Sequence, residues 1–457
     1  MKKLLYFLLA TAAAAAVLLY AVPQYLIRRD IAAAQPDLAL LAPDPEPLSL
    51  KNGIDALWLL GYRTENDAER SRIMHGYGTE IMRQKQPQAL SGRALPLPEA
   101  GRIKCPGEDA GECMKAVRAD LPRYRADADR YRALLDNIRH LYDYDTFAQR
   151  GWPNGDDDMS QIPLPPFQLL FYAETAAVAD WYGGQHQAAL DTVCRSIRTG
   201  RALLKGRPGL IPPMIGNALI HKNTALAAAM LAERPQEAAR LPQSCDGIAD
   251  VLTVQEQGIC TAMRDEFASA GNLYRKLAHS PLQTAAAFLS PNGAAGNMTP
   301  DEKREMLPML IPTFNAEHTQ ARSAAAFVRA CTQDTAEHLK QDLPVKWPPF
   351  SAQDALRDKW ACLGNRQGCL ISDIATPDYS PYALRLQNTA MQQRALAAAL
   401  ALYRLPAAER RAAVGKVLAA HSSPSRKLSW DESARTITFP RHDDGKGASG
   451  SIPLGLE

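Results

Sequence analysis

Hydrophobic residues fall along this chain in one long block followed by many short groups at helical spacing. The block runs from Leu4 to Ile27 and is broken only by Thr11, Pro23 and Gln24, about 24 residues in all. At about 1.5 Å per residue a helix of that length covers about 36 Å, enough to cross a hydrocarbon core of about 30 Å. Two fates fit such a segment: a retained transmembrane anchor over residues 1–29, or a signal peptide cut after Ala21. Cleavable peptides have an apolar stretch of about 7–15 residues and then a small-x-small site. Here the small residues Ala12–Ala16 come early, and Val17, Leu18, Leu19 and Tyr20 prolong the apolar run, which favours the anchor.

Beyond it, residues 30–50 carry four prolines among alanines and acids, which predicts a semi-extended tether. Ile54, Leu57, Trp58 and Tyr62 then recur at three- and four-residue spacing behind Asn52 as a cap, an amphipathic helix opening a first helical region over residues 51–165. A polar stretch from Gln84 to Pro106 interrupts it, and Met114–Tyr142 resumes helix. The proline-rich, triply acidic segment from Gly151 to Pro166 cannot continue a helix and reads as a loop or seam.

A central helical-hairpin region, residues 166–345, follows: helix over Phe167–Glu233 with a break near Gly206–Pro213, then Gly247–Leu277, Asp301–Leu307 and Asn315–Gln341. The last region, 346–457, holds helix over Pro381–Leu405 and Pro406–Ala420. Only its end looks like β structure, because Leu428, Trp430 and the run Thr436–Phe439 flank a turn at Asp431–Ala434, the spacing of a hairpin. The expected fold is therefore mainly α: one transmembrane helix, a helical-hairpin (α-α) domain and a short C-terminal β-hairpin.

Residues Ala176–Ser196, AAVADWYGGQHQAALDTVCRS, resemble the centre of a tetratricopeptide helix pair, with Gly184 at the turn and the small Ala189 allowing close packing. The family's glycine and tyrosine are replaced by Ala177 and Asp180, and no second copy recurs at 34-residue spacing. The resemblance implies an interaction surface and no chemistry.

Cysteine usage bears on the compartment. All eight cysteines lie beyond the apolar block, and Cys105 with Cys113 and Cys362 with Cys369 bracket short polar loops that contain glycine. Even counts in an oxidising compartment read as disulfides, and seven or six intervening residues are too many for paired zinc ligands. The other four allow three pairings; by elimination the expected set is Cys194–Cys245 and Cys260–Cys331. Lys2 and Lys3 on one side of the block, against Arg28 and Arg29 partly offset by Asp30 on the other, bias the N-terminus inside. The expected location is the inner (cytoplasmic) membrane of a bacterial-type envelope, spanned once by residues 4–27, with the C-terminal domain in the periplasm. A net charge of +3 and the lack of basic blocks interleaved with aromatics argue against a nucleic-acid partner.

Candidate chemistry is thin. Asp156, Asp157 and Asp158 cluster oxygen ligands, but consecutive acids followed by prolines lack the alternation of a calcium loop. Gly445–Gly450, GKGASG, has the letters of a dinucleotide fingerprint with no helix after it to meet a pyrophosphate, and reads as a flexible tail. Glu317-His318 and Glu337-His338, twenty residues apart on a presumed single helix, point about 160° away from each other and read as solvated surface. Glu256 and Glu266 would lie about 15 Å apart on one helix, too far for a hydrolytic pair, leaving Arg264 and Glu266 as interhelical ion-pair candidates. No residue earns a catalytic, cofactor or metal role. The reading favoured is a non-enzymatic envelope protein that binds or organises a protein partner. Its rivals are a hydrolase of peptidoglycan or another envelope glycan, with carboxylates assembled from distant segments, and a periplasmic domain binding a small molecule or metal.

Overall fold

A computed structural model describes residues 2–43, 50–83, 85–99, 105–106, 109–149, 164–283, 313–347, 355–374, 378–442 and 449–456, with single residues 286, 299, 301 and 304. The expected features at Asp156–Asp158 and Gly445–Ala448, and most of the helix expected at Asp301–Leu307, lie outside the described residues; Ser449 and Gly450, read as flexible tail, are instead paired in a strand.

The apolar block is a helix, α1 (Lys2–Ala33), with Pro23 inside it, and Tyr6–Ala33 is long and apolar enough to cross a membrane. Of the tether expected over residues 30–50, the described part as far as Leu40 is helical instead. The helix α1 carries on to Ala33, and α2 (Gln35–Leu40) follows with Pro36 in its first turn, where a missing N–H costs nothing. Leu41 is buried in the main core, so this stretch is part of the body.

The body is built mainly of helices: α3 (Ile54–Trp58), α4 (Asp67–Met82), α5 (Ala110–Ala119), α6 (Leu121–Arg130) and α7 (Arg132–His140) lead into α8 (Tyr172–Tyr182), α9 (His186–Leu204) and α10 (Ile211–Glu233). Then come α11 (Val254–Gln257), α12 (Cys260–His279), α13 (Ala316–Phe327), α14 (Gln333–Lys340), α15 (Ala355–Ala361), α16 (Arg366–Ile374), α17 (Ser380–Tyr403) and α18 (Ala407–His421). Several expected long helices are split. Asp120 and Tyr131 divide the one expected over Met114–Tyr142, and a 3-10 turn at Val328–Cys331, then Thr332 capping α14, divides Asn315–Gln341. Gly258 separates α11 from α12. Gly53, not Asn52, caps α3; the Asn52 side chain accepts from the Ile54 and Ala148 amides and donates to the Ala148 carbonyl, tying two distant segments together.

The pairing of α9 with α10 is the most extensive among the described elements. It depends on glycine at the crossing, because a Cβ on Gly216 would stand 2.5 Å from the Gly200 carbonyl oxygen. The preceding turn from α8 to α9 is made by Gly184 at φ +83°, a left-handed conformation that glycine adopts without strain, and Ala189 beyond it is fully buried. One main core collects apolar side chains from Leu41 to Leu454, and a second forms around Leu57, Tyr131, Phe147, Phe167 and Tyr172.

The C-terminal β element has three strands where a hairpin was expected. Strand β1 (Ser429–Asp431) pairs with β2 (Thr436–Pro440), and β3 (Ser449–Pro453) adds antiparallel to β2, with Ile437 opposite Ile452. What read as the end of a loose tail is fixed because Ile452 and Leu454 bury against α10 and α17.

Candidate functional site

Three places gather polar groups in or beside the core. The first is the seat of α1. Its C-terminal part packs on α13 and α15, and Pro23 and Ile27 are buried there. A Cβ on Gly364 would lie 2.9 Å from the Ile27 Cδ1 and 3.4 Å from the Pro23 Cβ, so the 3-10 turn at Cys362–Gly364 approaches the helix closely, and a larger residue there would require the Ile27 side chain to shift. Above that contact His318 is buried, which corrects the expectation of a solvated histidine. The reason is a partner 47 residues away: the Asn365 amide donates to His318 Nδ1 at 3.0 Å, which leaves the proton on Nε2, 3.4 Å from Asp30 of α1. Burial and the nearby Arg322 guanidinium pull the His318 pKa down to about 4, against a weaker upward pull from Asp358. His338, by contrast, is exposed on α14.

The second is a polar cavity of about 250 Å³ where α5, α8, α10, α17 and the sheet meet. Glu174 is buried in its wall, with Asn223 donating to it at 3.4 Å and Lys222 Nζ at 3.9 Å. His221, Asn388, Gln392 and Arg441 line it as well. The Gln392 Oε1 is buried and has no hydrogen-bond partner among the described residues, an arrangement that costs about 1–3 kcal/mol if it persists. Asp109 is the other acid in the wall, but its Oδ1 already accepts the Glu112 amide as the cap of α5. This cavity was not legible in the sequence, since its residues come from segments more than three hundred positions apart.

The third contains the acids singled out from the sequence, and each is occupied structurally. Glu256 takes a two-pronged bond from Arg201 at 2.8 and 2.9 Å and closes a capping box with Thr253. Its pKa is lowered: burial pushes it up, but the bonds from Arg201 and from the Thr253 amide outweigh that. Among the described residues Glu266 makes no ion pair of the expected kind; it accepts the Leu210 amide at 2.8 Å, the residue just before α10. Its neighbour Asp265 is the ion-paired residue, held by Arg207. Arg264 donates to the Leu40 carbonyl at 2.8 Å, fastening α2 to the body.

The cysteines lie in four pairs at bonding distance, Cys105–Cys113, Cys194–Cys245, Cys260–Cys331 and Cys362–Cys369, with Cα separations of 5.4, 4.9, 4.8 and 5.9 Å. Among the described residues no group of three or more His, Cys, Asp or Glu side chains is placed to hold a metal ion. Compared with protein-family models, curated proteins and solved structures, the chain matches none of them.

Proposed function

We propose that this chain is a single-pass protein of a bacterial-type inner membrane whose helical body stands in the periplasm and binds another envelope protein there, without catalysing a reaction. One observation carries the reading: the apolar helix α1 runs into the body and is seated in it, through Ile27 against Gly364 and Asp30 against His318. An export signal that is cut away does not need such a seat. Four disulfide-distance pairs support an oxidising compartment for everything beyond it. Their weight in setting the orientation exceeds that of the flanking charges, because Asp30 is turned towards His318 and Arg28 and Arg29 are exposed. A binding role is favoured over catalysis because Glu256, Asp265, Glu266 and Asp109 are each engaged by a guanidinium or a backbone amide. The α8–α9 hairpin, with its tetratricopeptide-like sequence, supports the same conclusion.

The test joins topology to partner capture. A phosphatase reporter that folds only outside the cytoplasm, fused after Glu457, is expected to be active, and the membrane-bound protein is expected to retain its N-terminal peptide. Crosslinking in intact cells should recover a discrete envelope protein. Activity only of a cytoplasmic fluorescent reporter, or loss of residues 1–21 from the mature chain, would overturn the reading.

Glu174, buried in the wall of the polar cavity, supports a second reading, hydrolysis of an envelope glycan with Glu174 as the acid. Release of soluble fragments from isolated peptidoglycan by the full chain, abolished by Glu174→Gln, would establish it; no release by the folded chain would dismiss it.

A further inference from the structure

The length of α1 fixes the height at which the body meets lipid. About 20 helical residues span a hydrocarbon core, so a span that begins at Leu4 leaves it near Pro23, with Tyr25 just beyond. Tyr25 is 65% exposed, and Arg28 and Arg29, also exposed, lie one turn further on, the order of aromatic and basic residues that marks a membrane boundary. The body touches α1 at that same level, since Gly364 abuts Pro23, Gln24 and Ile27.

Large apolar side chains beside this contact remain partly exposed. Trp360 on α15 and Leu363 in the adjoining turn are each 38% exposed, although both elements pack directly on α1. Lys359, beside Trp360, is exposed too. The Cys362–Cys369 disulfide closes the turn, and Gln367 within it donates to the Pro281 carbonyl at 3.0 Å. That bond holds Leu282, 71% exposed, at the same end of the body.

We propose that this end of the body lies in the interfacial layer of the membrane that α1 crosses. Trp360, Leu363 and Leu282 contact acyl chains and glycerol backbone there, while Lys359, Arg28 and Arg29 meet lipid phosphates. The occupant of the apolar surface is lipid, not a protein, because the surface is continuous with the span itself and sits at the depth where the span ends. The inference rests on the reading that α1 crosses the bilayer.

The test uses the full chain reconstituted in phosphatidylcholine–phosphatidylglycerol vesicles that carry bromine near the headgroup end of one acyl chain. Bromolipid is expected to quench part of the tryptophan emission, and Trp360→Phe is expected to remove that quenchable part. Quenching that is unchanged in Trp360→Phe, or absent while the protein still floats with the vesicles, would overturn the lipid contact alone. A chain that does not float with vesicles at all would overturn the membrane-spanning reading beneath it.

Discussion

Arg426 offers the sharpest test of how the C-terminal part is held together. It is 3% exposed, and its guanidinium donates to both Asp342 oxygens at 2.6 and 2.8 Å, to Asn388 at 2.7 Å, and to the Gln387 and Pro440 carbonyls at 2.9 and 3.1 Å. One side chain thereby joins the residue just past α14, the middle of α17 and the end of β2. Replacing it with methionine keeps the length and apolar stem but leaves the Asp342 carboxylate buried without its cation. Breaking a buried pair in this one-sided way costs about 3–5 kcal/mol. Removing both charges together costs much less, so Arg426→Met combined with Asp342→Asn is expected to recover about 2 kcal/mol or more of the loss. Asparagine is the right partner change because residue 342 has φ +54°, a left-handed conformation it tolerates better than most. Urea denaturation of the full chain in nanodiscs, followed by far-UV circular dichroism, measures the three variants. A single-variant loss below about 1 kcal/mol, or a double variant no better than the single, would refute the claim that this pair is buried and mutually dependent.

Two further outcomes follow from the same geometry. His318 has a folded-state pKa of about 4 against an ordinary 6.5, so its contribution is fully present above pH 6.5 and is lost as pH falls towards 4, up to roughly 3 kcal/mol; His318→Asn should flatten the stability profile in that window, and an unchanged slope would count against a buried neutral imidazole. The Cys260–Cys331 bond closes a separation of 71 residues and Cys362–Cys369 one of 7, so on chain entropy its removal to alanines should cost about 2 kcal/mol more; equal urea midpoints for the two double variants would remove that account.

How much of this was readable in the chain can be judged element by element. The helical class, the apolar first helix and the hairpin around Gly184 were legible because periodicity and a turn glycine are local signals. Two of the four cysteine pairs could be named from spacing, whereas the other four cysteines left three pairings, of which the expected one is the one at bonding distance. The residues after Ile27 misled because prolines read as extended chain, whereas Pro36 sits in a first turn and the helix is stabilised by docking on α13. Strand β3 was missed because Ser449, Gly450 and Ser451 have little β preference; pairing with β2 and the burial of Ile452 impose it. The burial of His318 and the assembly of the polar cavity around Glu174 could not be read at all, since their partners Asn365, Gln392 and Arg441 meet them only in three dimensions.

The seating of α1 has a dynamic consequence. A domain on a floppy leash explores a hemisphere and meets partners at many heights, at the expense of a low local concentration at any one of them. If α1 crosses a bilayer as proposed, its seat in the body reduces that freedom: the exposed faces of the domain would travel in a thin slab parallel to the bilayer, and encounters would become a two-dimensional search in which a partner must present its own surface at matching altitude.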